Sequence, residues 1–141
     1  MKTLYTARAN VRGGREGHAE TDDKQISVNL AAPGSGKQGT NPEQLFACGY
    51  AACFGSAVQH VARQQKIDAG DIDVQADVKL NQDDQGFSIA VELNVTLAKV
   101  DAKTAEKLVN DAHQVCPYSK ATRGNIEVKL KANGQQLEKA A

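Results

Sequence analysis

The chain of 141 residues is long enough for one domain with a single hydrophobic core and short for two. Its Lys and Arg residues number 17 and its Asp and Glu residues also number 17, so no overall charge attracts nucleic acid or an anionic membrane surface. We therefore expect a single domain spanning residues 1–141, with no nucleic-acid and no membrane partner.

The cysteine content and the N-terminal sequence indicate the cellular compartment. The first residues, MKTLYTARAN, lack the apolar run of a secretory signal, and the longest weakly polar stretch, residues 45–58, is shorter than the about 20 apolar residues of a membrane span. The three cysteines, Cys48, Cys53 and Cys116, are scattered, unlike the dense framework of a small secreted domain. These features predict a cytoplasmic protein, in which a disulfide is more often transient and catalytic than structural.

The first elements in chain order are two short strands. Residues 3–11 alternate in polarity up to Gly13, and residues 25–30 alternate again with apolar side chains on one face, which together predict an N-terminal hairpin. Residues 31–40, AAPGSGKQGT, are rich in Gly and Pro and predict a surface loop. This loop lacks the glycine spacing and the Ser or Thr of a phosphate-binding loop, which argues against nucleotide binding.

A long helix is predicted over residues 42–65. Thr40 and Glu43 form the T-x-x-E pattern of a capping box, and Pro42 is favourable in a first turn. The middle of the segment, ACGYAACFGSA, is rich in small residues, which let another helix approach closely but make a poor solvent-facing surface. We therefore expect this helix to be central and buried.

The remaining elements complete an α+β pattern. Two alternating strands, residues 71–80 and 87–97, flank a polar turn that ends in Gly86, and a helix over residues 102–115 stops before Pro117. The last strand is predicted at residues 126–130. The order β-β-α-β-β-α-β predicts an α+β fold with an antiparallel sheet and argues against a Rossmann fold. With 4% aromatic residues and no Trp, the core of one chain is modest, so we expect a homodimer.

Two cysteines are candidates for redox chemistry. Cys53 lies within the long helix and could instead be a small buried apolar side chain, and Cys116 lies at the end of the second helix and could instead be an inert cysteine of the capping region. Reversible peroxide reduction requires a thiolate of low pKa with a second thiol nearby. The separation of 63 residues argues neither for nor against contact between the two sulfurs.

Cys48 is a poor partner for Cys53. Five residues along a helix correspond to roughly 140° around its axis, so Cys48 cannot resolve an oxidised Cys53 while the helix is intact. We expect Cys48 to be a core residue. The histidines, His60 and His113 among them, form no metal-ligand pattern with the cysteines, and we expect His113 to be a cation at the C-terminus of its helix.

Three segments of the chain carry a resemblance to a known family. They are GGREG at residues 13–17, TNPEQLFACGYAACF at residues 40–54 and HQVCPYSKATRGN at residues 113–125. These segments resemble the organic hydroperoxide resistance (Ohr) branch of the OsmC/Ohr family, and the likeness covers nearly the whole chain. The pieces VCPYS and ATRGN are typical of the Ohr branch rather than the sister OsmC branch.

The resemblance implies a fold, an activity and four site residues. It implies an intertwined α+β homodimer that reduces organic and fatty-acid hydroperoxides to alcohols without a bound cofactor or metal, and that is regenerated by dihydrolipoyl groups on carrier proteins. By position, Cys53 matches the peroxidatic cysteine and Cys116 the resolving cysteine. Arg15 matches the arginine that activates the thiolate, and Glu43 the carboxylate that holds this arginine. One departure from the family pattern is Cys48, where members usually carry a small apolar residue; it leaves a side disulfide open, although helical geometry argues against one with Cys53.

The implied roles have a physical rationale. A free thiol has a pKa of about 8.5, and an adjacent guanidinium lowers it because it favours the charged form. Arg15 is always protonated, and its fork can hold a carboxylate together with a sulfur or a peroxide oxygen. Ten helical residues correspond to about 15 Å of rise between Glu43 and Cys53. Either Arg15 bridges that span, or the helix bends, or Glu43 comes from the other subunit.

Two rival functions stay open at the level of sequence. The chain could be a binding module that captures a hydrophobic small molecule in a dimer cleft, with inert cysteines. It could also be a redox sensor in which oxidation of Cys53 changes partner binding, although no basic patch or recognition helix supports this. For the peroxidase, apolar residues around Cys53, such as Phe46 and Phe54, predict a preference for apolar substrates over hydrogen peroxide.

Overall fold

The computed structural model describes residues 1–137. Its backbone contacts divide the chain into two compact units, Met1–Leu45 and Phe46–Ala141. The prediction of a single domain is not tested by this division and stays a prediction. The mixed α+β class is confirmed, since both helices and sheets are present.

The first unit contains a three-stranded antiparallel sheet in the order β1-β2-β3. Its strands are β1 (Ala9–Arg12), β2 (His18–Thr21) and β3 (Ser27–Asn29). The predicted hairpin of two strands is therefore wrong, because β2 lies between the two predicted strands and pairs with both. The alternation rule missed β2 because Ala19 is its single apolar residue, and it is also its single buried one.

The long helix, α1 (Pro42–Gln64), begins in this unit and has the predicted extent. Its cap differs from the prediction: the Asn41 Oδ1 atom accepts the backbone N–H of Gln44 at 2.9 Å, whereas the Thr40 hydroxyl donates to the Gln44 side chain at 2.7 Å. Asn41 is therefore the capping residue, because its carboxamide satisfies an N–H group that lacks a helical partner. Glu43 takes no part in the cap.

In the second unit, one face of α1 is buried. The buried residues are Tyr50, Phe54, Ala57, Val58, Val61 and Ala62. The opposite face is exposed and includes Cys48 and Ala52, so the prediction of a buried helix holds for one face only and the prediction of a core Cys48 is wrong. By length and composition alone, α1 is able to cross a membrane, so the expectation that this segment is too short for a span is wrong. The buried core helix of a soluble protein passes the same test. Its buried face packs in the core.

The second unit also contains a four-stranded sheet in the order β4-β5-β6-β7 through residue 137. The strands are β4 (Ile72–Asp83), β5 (Gly86–Leu97), β6 (Val128–Ala132) and β7 (Gln135–Gln136). Strands β4 and β5 form a long hairpin with a two-residue turn, tighter than predicted. The predicted antiparallel sheet is wrong in one place: β5 and β6 are parallel, because helices cross over between them.

Two helices form this crossover. Helix α2 (Ala102–Val115) has the predicted bounds and is capped by the Asp101 carboxylate, which accepts the backbone N–H of Thr104 at 2.8 Å. The prediction missed α3 (Pro117–Thr122), because Pro117 was taken only as a helix stop although proline is also favourable at a first helical position. Through residue 137 the order is thus β-β-β-α-β-β-α-α-β-β.

The core of the second unit lies between the helices and one face of the sheet. As predicted, alternate side chains of β5 form its apolar face, and α2 turns its apolar side toward them. The fully buried members from the sheet and α2 include Leu93, Val95, Leu108, Val109 and Leu130. This packing holds the C-terminal end of α2 against the middle of α1.

Candidate active site

The sulfurs of Cys53 and Cys116 lie 3.5 Å apart in the second unit. Cys53 is on the buried side of α1 and is half-buried, while Cys116 is 1% exposed. A disulfide needs the sulfurs at about 2.05 Å, so an approach of roughly 1.5 Å would join them. Packing has therefore brought the two thiols together, a point that their separation in sequence left open.

The backbone around Cys116 restrains its thiol. Cys116 lies between α2 and α3 with extended dihedral angles, φ −68° and ψ 123°. Its N–H donates to the Ala112 carbonyl at 2.9 Å, and its carbonyl accepts the N–H of Lys120 at 3.0 Å. The residue thus ends one helix and begins the next, and both backbone bonds limit where its side chain can point.

The surroundings of Cys53 in this unit favour the neutral thiol. Burial raises the pKa of Cys53, and the adjacent Cys116 raises it further. The backbone N–H of Tyr118 acts in the opposite direction, because it donates to the sulfur and stabilises the thiolate. Among the described residues that set this pKa, none is a cation. The lowered pKa expected for a peroxidatic cysteine is therefore not observed in this unit.

Arg15 and Glu43 form a two-pronged ion pair in the first unit. The guanidinium nitrogens donate to the two carboxylate oxygens at 2.8 and 3.0 Å. Hydrogen bonding from Arg15 lowers the pKa of Glu43, and the same bond raises the pKa of Arg15. Both groups are thus charged at neutral pH. The pair uses two of the five N–H donors of the guanidinium, whose side chain is 52% exposed.

The glycines of the GGREG segment shape the turn that carries Arg15. Gly13 and Gly14 have positive φ angles of 87° and 58°, which glycine adopts without the steric cost of a side chain. They lead into a single 3-10 turn, Gly14–Glu16. At Gly17 the backbone returns so closely that an added Cβ would lie 1.6 Å from the carbonyl oxygen of Arg12. The turn therefore requires glycine at residue 17, because there is no space for a side chain there.

We expect the substitution Gly17→Ala to displace Arg15 and to lower by about 100-fold any hydroperoxide reduction that depends on its guanidinium, the effect of a roughly 1 Å misplacement. The added methyl cannot coexist with the present backbone at Arg12. The comparison variant is Gly14→Ala, in which the added Cβ has no atom within 4 Å but the positive φ of 58° strains any side chain, so the two variants separate lack of space from backbone strain. The measurement is the rate of organic hydroperoxide consumption; equal activity of the two variants would contradict this account.

Sequence reasoning missed a buried hydrogen-bonded cluster beside the thiols. The Tyr50 hydroxyl lies 2.9 Å from both the Ser119 and the Thr122 hydroxyls, and the Ser119 hydroxyl lies 2.8 Å from His113 Nδ1. His113 is 1% exposed, so the expected helix-end cation is instead a member of this buried cluster. The available signal was spacing, since Tyr50 precedes Cys53 by three residues and His113 precedes Cys116 by three.

The remaining predictions about the site concern the two phenylalanines and a metal ion. Phe54 is fully buried in the core and does not face a substrate, whereas Phe46 is half-buried beside Tyr118, with ring centroids 6.0 Å apart. Within residues 1–137, no group of three or more His, Cys, Asp or Glu side chains is arranged to hold a metal ion. The structure thus brings the four predicted residues together as two pairs, one in each unit, and the roles of all four stay predictions.

Comparisons with known proteins place the chain in a family. Residues 34–131 match the family model described as OsmC-like protein. The chain is 50% identical over 132 residues to the organic hydroperoxide resistance protein OhrB of Bacillus subtilis, covering 90% of this chain and 96% of that protein. It is 49% identical over 134 residues to the organic hydroperoxide resistance protein of Xanthomonas axonopodis pv. citri, covering 92% and 94%.

Solved structures show the same likeness. The crystal structure of OhrB from Bacillus subtilis matches with a TM-score of 0.88 and 48% identity, covering 92% of this chain and 99% of that one. The Vibrio cholerae organic hydroperoxide resistance protein, with captopril bound in one of its active sites, matches with a TM-score of 0.91 and 43% identity, covering 97% of each chain. The fold is therefore that of an OsmC-like protein. The chain belongs to the OsmC/Ohr family, in its organic hydroperoxide resistance branch.

Proposed function

We propose that this chain is a thiol peroxidase that reduces organic hydroperoxides to alcohols, with Cys53 as the attacking thiolate and Cys116 as the resolving thiol. The observation that carries the proposal is the 3.5 Å separation of the two sulfurs. The names of the relatives, organic hydroperoxide resistance proteins, support the substrate class.

In the first step the Cys53 thiolate attacks the terminal oxygen of the hydroperoxide. The O–O bond breaks and its electron pair leaves on the alkoxide oxygen, which takes a proton and departs as the alcohol. Cys53 becomes a sulfenic acid. The Arg15 guanidinium, held by Glu43, would favour the thiolate beforehand and stabilise negative charge on the leaving oxygen.

In the second step the Cys116 thiol attacks the sulfur of the sulfenic acid. The S–S bond forms, the S–O bond breaks, and the oxygen leaves as water once it has taken the second proton. The short distance between the two sulfurs makes this step effectively intramolecular, so it competes well with a second peroxide molecule. Over-oxidation of Cys53 to the sulfinic acid is thereby suppressed.

Two successive thiol–disulfide exchanges would restore the enzyme. A dihydrolipoyl group on a carrier protein supplies both thiols, and it becomes a cyclic disulfide while Cys53 and Cys116 return to the reduced state. The reductant is thus an external substrate, and the chain needs no resident cofactor for either half-reaction. A cytoplasmic location stays a prediction that suits this reducing supply.

A homodimer is also part of the proposal. Large apolar side chains are exposed in the N-terminal segment, with Leu4 87% and Tyr5 80% exposed, and Phe87 near the β4–β5 turn is 72% exposed. Soluble chains rarely leave several such groups uncovered, and a second copy would bury them.

Aromatic side chains near the thiols support an apolar substrate, because Phe46 and Tyr118 are only partly covered.

The test is intact mass spectrometry after one equivalent of cumene hydroperoxide. The wild-type chain should lose about two mass units as the disulfide forms, and Cys116→Ser should gain about 16 as it stalls at the sulfenic acid. The same reagents with dihydrolipoamide should sustain turnover of the wild type. A chain that binds the hydroperoxide without any change in mass would be a binding module and not a peroxidase.

A further inference from the structure

We propose that Tyr50, Ser119 and His113 form a positioning network that holds the two sulfurs at reacting separation and so sets how fast Cys116 captures the oxidised Cys53. This inference rests on the proposed peroxidase function. The inference concerns only the formation of the disulfide, since we assign none of these three side chains a role in the attack on the hydroperoxide.

The network joins the segments that carry the two cysteines. Tyr50 is on α1, His113 on α2 and Ser119 on α3. The Ser119 hydroxyl lies between the other two groups, 2.9 Å from the Tyr50 oxygen and 2.8 Å from His113 Nδ1. All three side chains are at most 1% exposed, so water does not compete for these bonds.

The spacing relates each member to a cysteine. Tyr50 lies three residues before Cys53, while His113 lies three residues before Cys116 and Ser119 three residues after it. Residues three apart in a helix are neighbours on one face, so Tyr50 belongs to the same side of α1 as Cys53. A shift of the Tyr50–Ser119 contact would therefore move one cysteine relative to the other.

The hydrogen bonds define a single direction through the network. The Thr122 hydroxyl donates its one hydrogen to the Ser119 carbonyl at 3.2 Å, so it accepts from Tyr50, whose oxygen lies 2.9 Å away. Tyr50 has then used its hydrogen and accepts from Ser119, and Ser119 in turn accepts from His113 Nδ1. With this assignment each of the three hydroxyls donates once and accepts once.

Other contacts between α1 and α3 are less directional. The rings of Tyr50 and Tyr118 have centroids 5.7 Å apart and are tilted by 46°. An added Cβ at Gly49 would lie 2.8 Å from the Tyr118 hydroxyl, which shows how closely the segments approach. Ring packing tolerates sliding, whereas hydrogen bonds lose strength steeply with distance and angle. The network is therefore the element that fixes the register of Cys53 against Cys116.

The consequence is a partition between two fates of the Cys53 sulfenic acid. Attack by Cys116 gives the disulfide and water, whereas a second hydroperoxide adds another oxygen to give the sulfinic acid and a second molecule of alcohol. The network affects the first of these rates and not the second. Its loss should shift the product toward the sulfinic acid.

The test is the variant Tyr50→Phe, which removes one oxygen atom and no carbon. We expect the formation of the sulfenic acid to stay within about twofold of the wild type, and disulfide formation to slow by on the order of tenfold, since a displacement of about 1 Å can cost up to 100-fold. Stopped-flow kinetics would measure both rates. Intact mass spectrometry would measure the sulfinic product, with a gain of about 32 mass units, over a titration with cumene hydroperoxide.

Two further variants make the test decisive. Tyr5→Phe is the matched control, because it removes the same oxygen from a tyrosine that lies outside the network. Ser119→Ala should reproduce the shift in partition, and the double variant with Tyr50→Phe should be no worse than Ser119→Ala alone, because both changes break one network. Thermal unfolding of each variant separates loss of stability from a change in partition.

Each outcome decides the inference. A folded Tyr50→Phe chain that partitions like the wild type would overturn it, as would an equal slowing of sulfenic acid formation. If the wild type itself gains oxygen without losing two hydrogens, the proposed function fails and the inference fails with it. Slow disulfide formation in Tyr50→Phe and Ser119→Ala, with normal behaviour of Tyr5→Phe, would support the positioning role.

Discussion

Replacing Cys53 with serine is expected to abolish turnover of organic hydroperoxides, with a fall of at least about 1,000-fold, as for other enzymes that lose their nucleophile. A serine hydroxyl is too weak an acid to provide an anion at neutral pH, and its oxygen cannot be oxidised as sulfur is. The measurement is consumption of tert-butyl hydroperoxide with dihydrolipoamide as the reductant. Hydrogen peroxide, used in place of the organic substrate, should be consumed more slowly by the wild type.

The chain supplies a matched control for this substitution. Cys48 lies on the same helix as Cys53 but on its exposed face. Cys48→Ser should therefore retain the wild-type rate to within about twofold, since surface substitutions away from a site have small effects. An active Cys53→Ser variant, or an inactive Cys48→Ser variant, would show that the wrong thiol has been assigned.

The second large effect is expected for Arg15→Lys, which should lower the rate of Cys53 oxidation by about 100-fold. Lysine keeps the positive charge but loses the planar fork, and it is the fork that donates to both Glu43 oxygens at 2.8 and 3.0 Å. Arg15→Ala should be slower still. The matched control is Arg12→Lys, which makes the same change on an exposed residue of β1. Single-turnover kinetics with cumene hydroperoxide would give the rate.

The pH dependence of that rate provides an independent check. Burial and Cys116 raise the pKa of Cys53, so without a nearby cation the rate should increase with pH through a midpoint above the free-thiol value of about 8.5. If the guanidinium of Arg15 acts on Cys53, the wild-type midpoint lies lower and Arg15→Ala moves it upward. Identical midpoints in both proteins would remove Arg15 from the activation of the thiolate.

Glu43 should act through Arg15. Glu43→Gln keeps the shape of the side chain but removes its negative charge, so we attribute any loss of rate to a less firmly held guanidinium. Since hydrogen bonding from Arg15 lowers the pKa of Glu43 from its usual 4.5, the carboxylate is ionised above that value and loses its charge only in stronger acid. The ion pair is thus intact across the neutral pH range in which the thiolate would react.

Local sequence determined the long elements. The bounds of α2 agree with its helical periodicity, those of α1 with the start signals around Pro42, and the strands β4 and β5 follow from alternation, because all these patterns depend on neighbours along the chain. The likeness in three motifs was also sufficient to predict the family. Short elements were missed where the signal was weak: β2 has one apolar residue, and α3 is only six residues long.

Tertiary structure alone decided the relations between distant segments. The parallel pairing of β5 with β6 depends on a crossover through two helices, and the exposure of Cys48 depends on which face of α1 the sheet covers. The same holds for the thiols: no local pattern brings Cys53 within 3.5 Å of Cys116, because their contact arises from the packing of α1 against the junction of α2 and α3. Residue identity supplied the two thiols, and only the folding of the chain made them neighbours.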